Sequence, residues 1–172
     1  MSELTGDWDK LEEMLNPSRL QQTLKKCAAR VGNYGASQVK KGIVSGAPGG
    51  QKFASLADYT KERKHSSSPL VDKGDLVGSV TYQVTDDLSH IFIGVNKGKE
   101  VNIAAVHEYG CTIAVTPKMR AYLHYNGLHL KEETKYIHIP PRPFLRPVLD
   151  SNEFRAEVAE IYIQAVQEAF MP

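Results

Sequence analysis

The sequence predicts an α+β fold: a short antiparallel β-sheet packed against two long helices, N-terminal and C-terminal, with extended loops. Two patterns predict it. Apolar residues recur every three to five positions over Pro17–Val44, and a helical spacing returns after Asp150, the signature of amphipathic helices. Between them, Val80–Val84 and Ile91–Val95 alternate apolar with polar residues, as half-buried strands do. Helices segregated from a run of strands, rather than alternating with them, give α+β and not α/β.

Each element has its own signal. Trp8, Leu11, Met14 and Leu15 make Asp7–Leu15 a short amphipathic stretch, so residues 1–16 read as an arm and 17–172 as a single domain. Asn16 before Pro17 is a helix start. Leu20, Leu24, Cys27, Val31, Tyr34, Val39 and Ile43 carry the apolar face of the first long helix. Gly32 and Gly35 weaken that helix by up to about 1 kcal/mol each relative to Ala, unless a partner packs closely there. Lys40 and Lys41 are expected in its last turn, facing the negative end of the dipole.

Ser45–Gly50 reads as a loop, Phe53–Lys64 as irregular or briefly helical, and His65–Ser68 as a mobile polar tip. Asp75 opens a turn into strand-like sequence, and Asp86-Asp87 joins the two alternating runs into a hairpin. Ile103–Tyr109 is one or two helical turns stopped by Gly110. Thr112–Thr116, Arg120–Tyr125 and Tyr136–Ile139 are strand candidates. Pro140, Pro141, Pro143 and Pro147 stiffen the next segment. Asp150 or Ser151 caps the last helix, whose apolar side is Val158, Ile161, Ile163, Ala165, Val166 and Phe170.

Composition excludes several classes. With 41% hydrophobic and 24% charged residues in 172, the chain is neither collagen-like, disordered nor membrane-embedded. A formal net charge of +1 argues against a module built on bulk positive charge. The charge is nevertheless unevenly placed. Lys25–Lys73 holds ten basic and three acidic residues, a balance of +7, whereas Asp150 onward holds five acids and one arginine, −4. Two readings remain open: solvated helix faces, or complementary faces that bring copies together head to tail. Two cysteines without metal or redox spacing, and an N-terminus without a signal-peptide pattern, lead to the expectation of a cytoplasmic, reducing compartment before assembly.

Catalytic patterns are weak. His107-Glu108 lacks a second histidine four residues on, no Gly-x-Ser-x-Gly elbow exists, and Pro48 interrupts the one Gly-rich loop. His124, His129 and His138 are the only candidates for a converging metal site, the basis of a metal-dependent hydrolase alternative. The basic stretch supports the other alternative, a DNA-binding accessory protein. No cofactor is expected.

Three segments combine order-making residues with polar ones. They are Ser68-Pro69-Leu70-Val71-Asp72-Lys73-Gly74-Asp75-Leu76, Ala104-Ala105-Val106-His107-Glu108-Tyr109-Gly110, and Ile137-His138-Ile139-Pro140-Pro141-Arg142-Pro143-Phe144-Leu145-Arg146-Pro147. The proline track has little entropy left to lose, so it suits binding; it equally suits a packed crossover into the last helix.

In this order, with Leu56, Thr60 and Lys64 ahead of them, the segments resemble tailed-bacteriophage virion morphogenesis proteins, the tail-completion or head–tail joining proteins, Mu-type ones included. The resemblance covers about two thirds of the chain, from Phe53 to the final helix. Pro141, where a small residue is commoner, is a departure, and Lys118–Lys135 occurs only in some relatives. The resemblance implies a non-enzymatic structural protein of the virion neck, made in the host cytoplasm, that completes the tail or joins it to the head or, alternatively, is the tail terminator or head-closure protein of the same neck. It implies a homo-hexameric ring meeting a head-closure protein, a tail terminator or the tail tube, with no membrane partner. Leu70, Asp72, Gly74, Leu76, His107, Glu108, Tyr109, Gly110, Pro140, Arg142, Pro143, Phe144 and Arg146 become candidate interface or structural residues. Lys40, Lys41, Arg63 and Lys64 become candidate subunit contacts or a channel lining that meets packaged DNA.

Overall fold

A computed structural model describes residues 16–96 and 98–170; the amphipathic stretch Asp7–Leu15 lies outside them. Helix α1, Pro17–Ser45, has 29 residues and is about 44 Å long at 1.5 Å per residue. The Asn16 side chain accepts hydrogen bonds from the Ser18 and Arg19 amides at 2.9 and 3.4 Å, satisfying two orphan donors of the first turn. Gly46, left-handed at φ 73°, ends the helix. The helix therefore continues past Lys40 and Lys41, which lie a turn before its end rather than in its last turn.

The buried face of α1 carries Val31, Gly32, Gly35, Ala36, Val39, Gly42 and Ile43. Strands β1, Thr81–Val84, and β2, Ile91–Gly94, form the expected antiparallel hairpin, with Tyr82 opposite Ile93. This cross-strand pair rests on the two glycines. A Cβ on Gly32 would enter the Tyr82 ring, and one on Gly35 would meet Ile93 and Phe154. The glycines are thus the close packing seam, and the sheet sits nearer the helix than any side chain would permit.

Helix α2 spans Asp58–Lys64 and α3 Asp75–Ser79. The latter corrects the strand-like reading after Asp75: Gly74, at φ 88°, turns the chain into a short helix that delivers buried Leu76 to the core. Helix α4, Glu100–Tyr109, extends the expected turns. Strands β3, Cys111–Ala114, and β4, Tyr136–Ile139, pair antiparallel as a second, separate two-stranded sheet. Helix α5, Pro117–Tyr125, lies between them, so the strand expected at Arg120–Tyr125 is helical. The Thr116 hydroxyl caps it through the Met119 amide at 3.2 Å, and Pro117 occupies the first turn. The fold class is α+β as expected, but among the described residues the strands form two ribbons, the first of which lies on α1.

A short helix α6, Arg146–Leu149, precedes α7, Asn152–Phe170. Ser151 supplies the cap, its hydroxyl accepting from the Phe154 amide at 3.1 Å. Helix α7 runs along α1, with Tyr34 and Phe154 stacked at 5.7 Å and Arg30 paired with Glu168 at 3.1 Å. The core joins Val39 and Ile43 of α1 with Leu76, Val80, Ala104, Phe144 and Val148.

Candidate functional site

The proline track is tied down by two side chains. Pro143 and Pro147 have no amide hydrogen, so the N–H groups of Phe144, Leu145 and Arg146 form an isolated set at the start of α6. All three donate to Glu108: Phe144 and Leu145 to Oε2 at 2.8 and 3.0 Å, Arg146 to Oε1 at 3.1 Å. Glu108 lies in the last turn of the α4 helix and is buried. Its negative charge matches the positive end of α6, where amides converge on an anion. Phe144 is fully buried beside it.

Arg142 is the second fastener. It is buried, its Nε donates to the Ala54 carbonyl and its Nη2 to the Ser55 carbonyl, both at 2.8 Å. Its own amide donates to the His107 carbonyl at 2.6 Å. Burial pulls the guanidinium pKa below its ordinary value, and the group remains a cation held by backbone dipoles. Gly110 sits at φ 76°, and a Cβ there would lie 3.1 Å from the Ile139 carbonyl and Pro141. A glycine is needed where α4 turns into β3 against the prolines.

Leu70, Asp72, Gly74 and Leu76 meet Leu56, Thr60, Lys64 and His107 around one cavity of about 510 Å³. Arg63, Lys73 and Ile103 also line its wall. Leu70 adopts left-handed backbone at φ 60°, a conformation that costs a non-glycine residue on the order of 1–3 kcal/mol. Its side chain packs against the core. The His107 Nδ1 is buried without a hydrogen-bond partner among the described residues. Burial, then the charges of Arg142 and Lys64, hold its pKa below the ordinary imidazole value, so it is neutral at pH 7.

Tyr109, Pro140, Pro143 and Arg146 lie outside the cavity wall, whereas Arg63 and Lys64 belong to it. Tyr109 is exposed, with the Arg146 guanidinium 5.0 Å from its ring centre. Pro140 is exposed and Pro143 half-buried. Arg63 donates to the Tyr59 hydroxyl at 3.2 Å, and Lys64 to the Ser68 carbonyl. Lys41 lines a different recess, between α1 and the start of α7, so the four basic candidates form no single patch. The +7 and −4 regions meet partly within one chain, through Arg30 and Glu168.

The rings of His124 and His129 meet edge-on at 4.3 Å, while His138 engages Thr112 at 2.8 Å. Among the described residues no three His, Cys, Asp or Glu side chains are placed to hold a metal ion. Cys27 is buried, and burial raises its thiol pKa, the reverse of an activated nucleophile. No described helix is long and apolar enough to cross a membrane.

Sequence reasoning missed how Glu108 and Arg142 work. The signal was present: three amides trapped between two prolines need an acceptor, and Glu108 is the acid in the neighbouring motif. A family model described as the phage virion morphogenesis family matches residues 7–167. No curated protein and no solved structure matches the chain.

Proposed function

The chain belongs to the phage virion morphogenesis family, and on that premise we propose that it is a structural, non-catalytic subunit of the virion neck. It completes the upper end of the tail or joins the tail to the head, acting as one copy in a ring. The observation that carries this reading is the commitment of the buried charged groups. Among the described residues Glu108 and Arg142 are the two buried charged ones, and each binds backbone groups that fix the chain's path. A catalytic acid or cation must instead reach a substrate. This site builds a rigid surface, which suits a part that is held by neighbours.

The ring is expected to contact a head-closure protein, a tail terminator or the tail tube, and to meet packaged DNA only through non-specific charge. Electron microscopy of lysates lacking the gene tests the placement. Filled heads and finished tails that fail to join are expected, with the labelled protein restored to the junction on complementation. Label on the capsid shell or the distal tail overturns the reading.

A further inference from the structure

Helix α7 has two apolar stripes, not one. Phe154, Val158, Ile161, Ala165 and Ala169 are half-buried or buried, on the side that lies against α1. Ala156, Ala159, Ile163, Val166 and Phe170 repeat at spacings of three and four on another side, and all are exposed. Ile163 is 50% exposed, Val166 52% and Phe170 37%. A helix that is apolar on two sides needs two partners, and α1 supplies one.

We propose that the outer stripe of α7 docks into the cavity between α2, α3 and α4 of a second copy of this chain. The proposal rests on the ring reading above and names its subunit contact. Charge selects the occupant. Glu153, Glu157 and Glu160 flank the stripe, and no described cation pairs with them. Arg63, Lys64 and Lys73 line the cavity, and no described carboxylate pairs with them. Asp72 and Asp75 share that wall, leaving a balance of +1 against the −3 of Glu153, Glu157 and Glu160.

Two α7 stripes placed together would bring their glutamates into repulsion, so self-pairing of the helix is disfavoured. The apolar parts also correspond. Leu56, Leu70 and Ile103 line the cavity, and Ile103 is 45% exposed. Ile163, Val166 and Phe170 fall at i, i+3 and i+7, the spacing of anchors that an amphipathic helix lays into a groove. Helix and cavity are different surfaces, so the contact is heterologous. It leaves one of each free on every pair and continues from copy to copy until the rotation closes a ring.

Sedimentation velocity on the full chain, over a range of concentrations, tests this. Wild-type protein is expected to self-associate, and Ile163→Asp and Lys73→Glu each to weaken association by about tenfold or more. Both positions are exposed, so unchanged melting is expected; if Ile163→Asp melts early, Val166→Asp replaces it. The decisive sample mixes the two variants. Ile163→Asp keeps a sound cavity and Lys73→Glu a sound helix, so together they should form a heterodimer that grows no further. Wild-type protein that stays monomeric, association indifferent to both variants, or Lys73→Glu that still self-associates while Ile163→Asp does not, overturns the contact. The last pattern indicates helix-to-helix pairing. None of these results moves the label in electron microscopy, so the neck reading is judged separately.

Discussion

Glu108 accepts three backbone amides with two oxygens, and the geometry makes it irreplaceable by its amide. In Glu108→Gln, one oxygen becomes an NH₂ group. If the oxygen serves Phe144 and Leu145, the NH₂ faces the Arg146 donor; the flipped rotamer leaves the other two amides without an acceptor. Losing charge-assisted bonds in a buried place costs about 1.5–3 kcal/mol, which a thermal melt detects as a fall of several degrees. His107 adds a pH dependence. Folding favours the neutral ring because burial and the Arg142 and Lys64 charges oppose its protonation. The unfolded chain therefore binds the extra proton. Stability is complete above the ordinary imidazole pKa of about 6.5 and declines as pH falls below it. Melts at about pH 7.5 and about pH 5.5 should show this decline, and His107→Gln should flatten it.

At the scale of elements, the glycine seam of α1 decides how closely the first sheet packs. Gly32→Ala gains up to about 1 kcal/mol of helix propensity but drives a methyl group into the Tyr82 ring. That ring is also held by the Asn33 side chain, which donates to its hydroxyl at 3.2 Å. Overpacking of this kind costs about 1–3 kcal/mol, so a net loss of stability is expected in a denaturant titration. The second ribbon is held differently. Arg120 donates to the carbonyls of Leu130, Lys131, Glu132 and Thr134, fastening the segment between α5 and β4. Because an isolated two-stranded sheet is marginal in water, Arg120→Ala should raise hydrogen exchange in β3 and β4 while exchange in α1 stays the same.

These elements also show what the sequence makes legible. Long periods are robust, so α1, the first hairpin and α7 could be placed from spacing alone. Arg120–Tyr125 spans too few residues for a period to choose between strand and helix, and the deciding signal was the Thr116-Pro117 cap. The single apolar side read for α7 mixed two faces, because Ile161 and Ile163 lie on different sides of one helix. Of the candidate site, the need of three proline-bounded amides for an acceptor is legible, but not that Glu108 meets it through the fold: Glu108 and those amides are 36 to 38 positions apart. No local pattern carries such a partnership.

For the whole molecule, the arginines of one motif separate folding from assembly. Arg142 is buried and holds two carbonyls of the chain ahead of α2. Arg142→Ala removes two charge-assisted hydrogen bonds to the exposed residues Ala54 and Ser55, whose carbonyls water can then reach, a cost of about 1.5–3 kcal/mol. Arg142→Lys keeps a charge but loses the forked geometry, so it should fall between wild type and alanine. Arg146 lies four residues on, exposed over Tyr109, and its side chain contributes little to the core. If the neck reading holds, both alanine variants reduce finished particles, but for different reasons. Arg142→Ala should melt several degrees lower and complement best at reduced temperature. Arg146→Ala should melt like wild type, with any particle defect independent of temperature. Complementation at two temperatures, paired with melts of the same variants, checks this. A temperature-sensitive Arg146→Ala would place that residue in folding, and an Arg142→Ala protein of unchanged stability would contradict its role as an internal fastener.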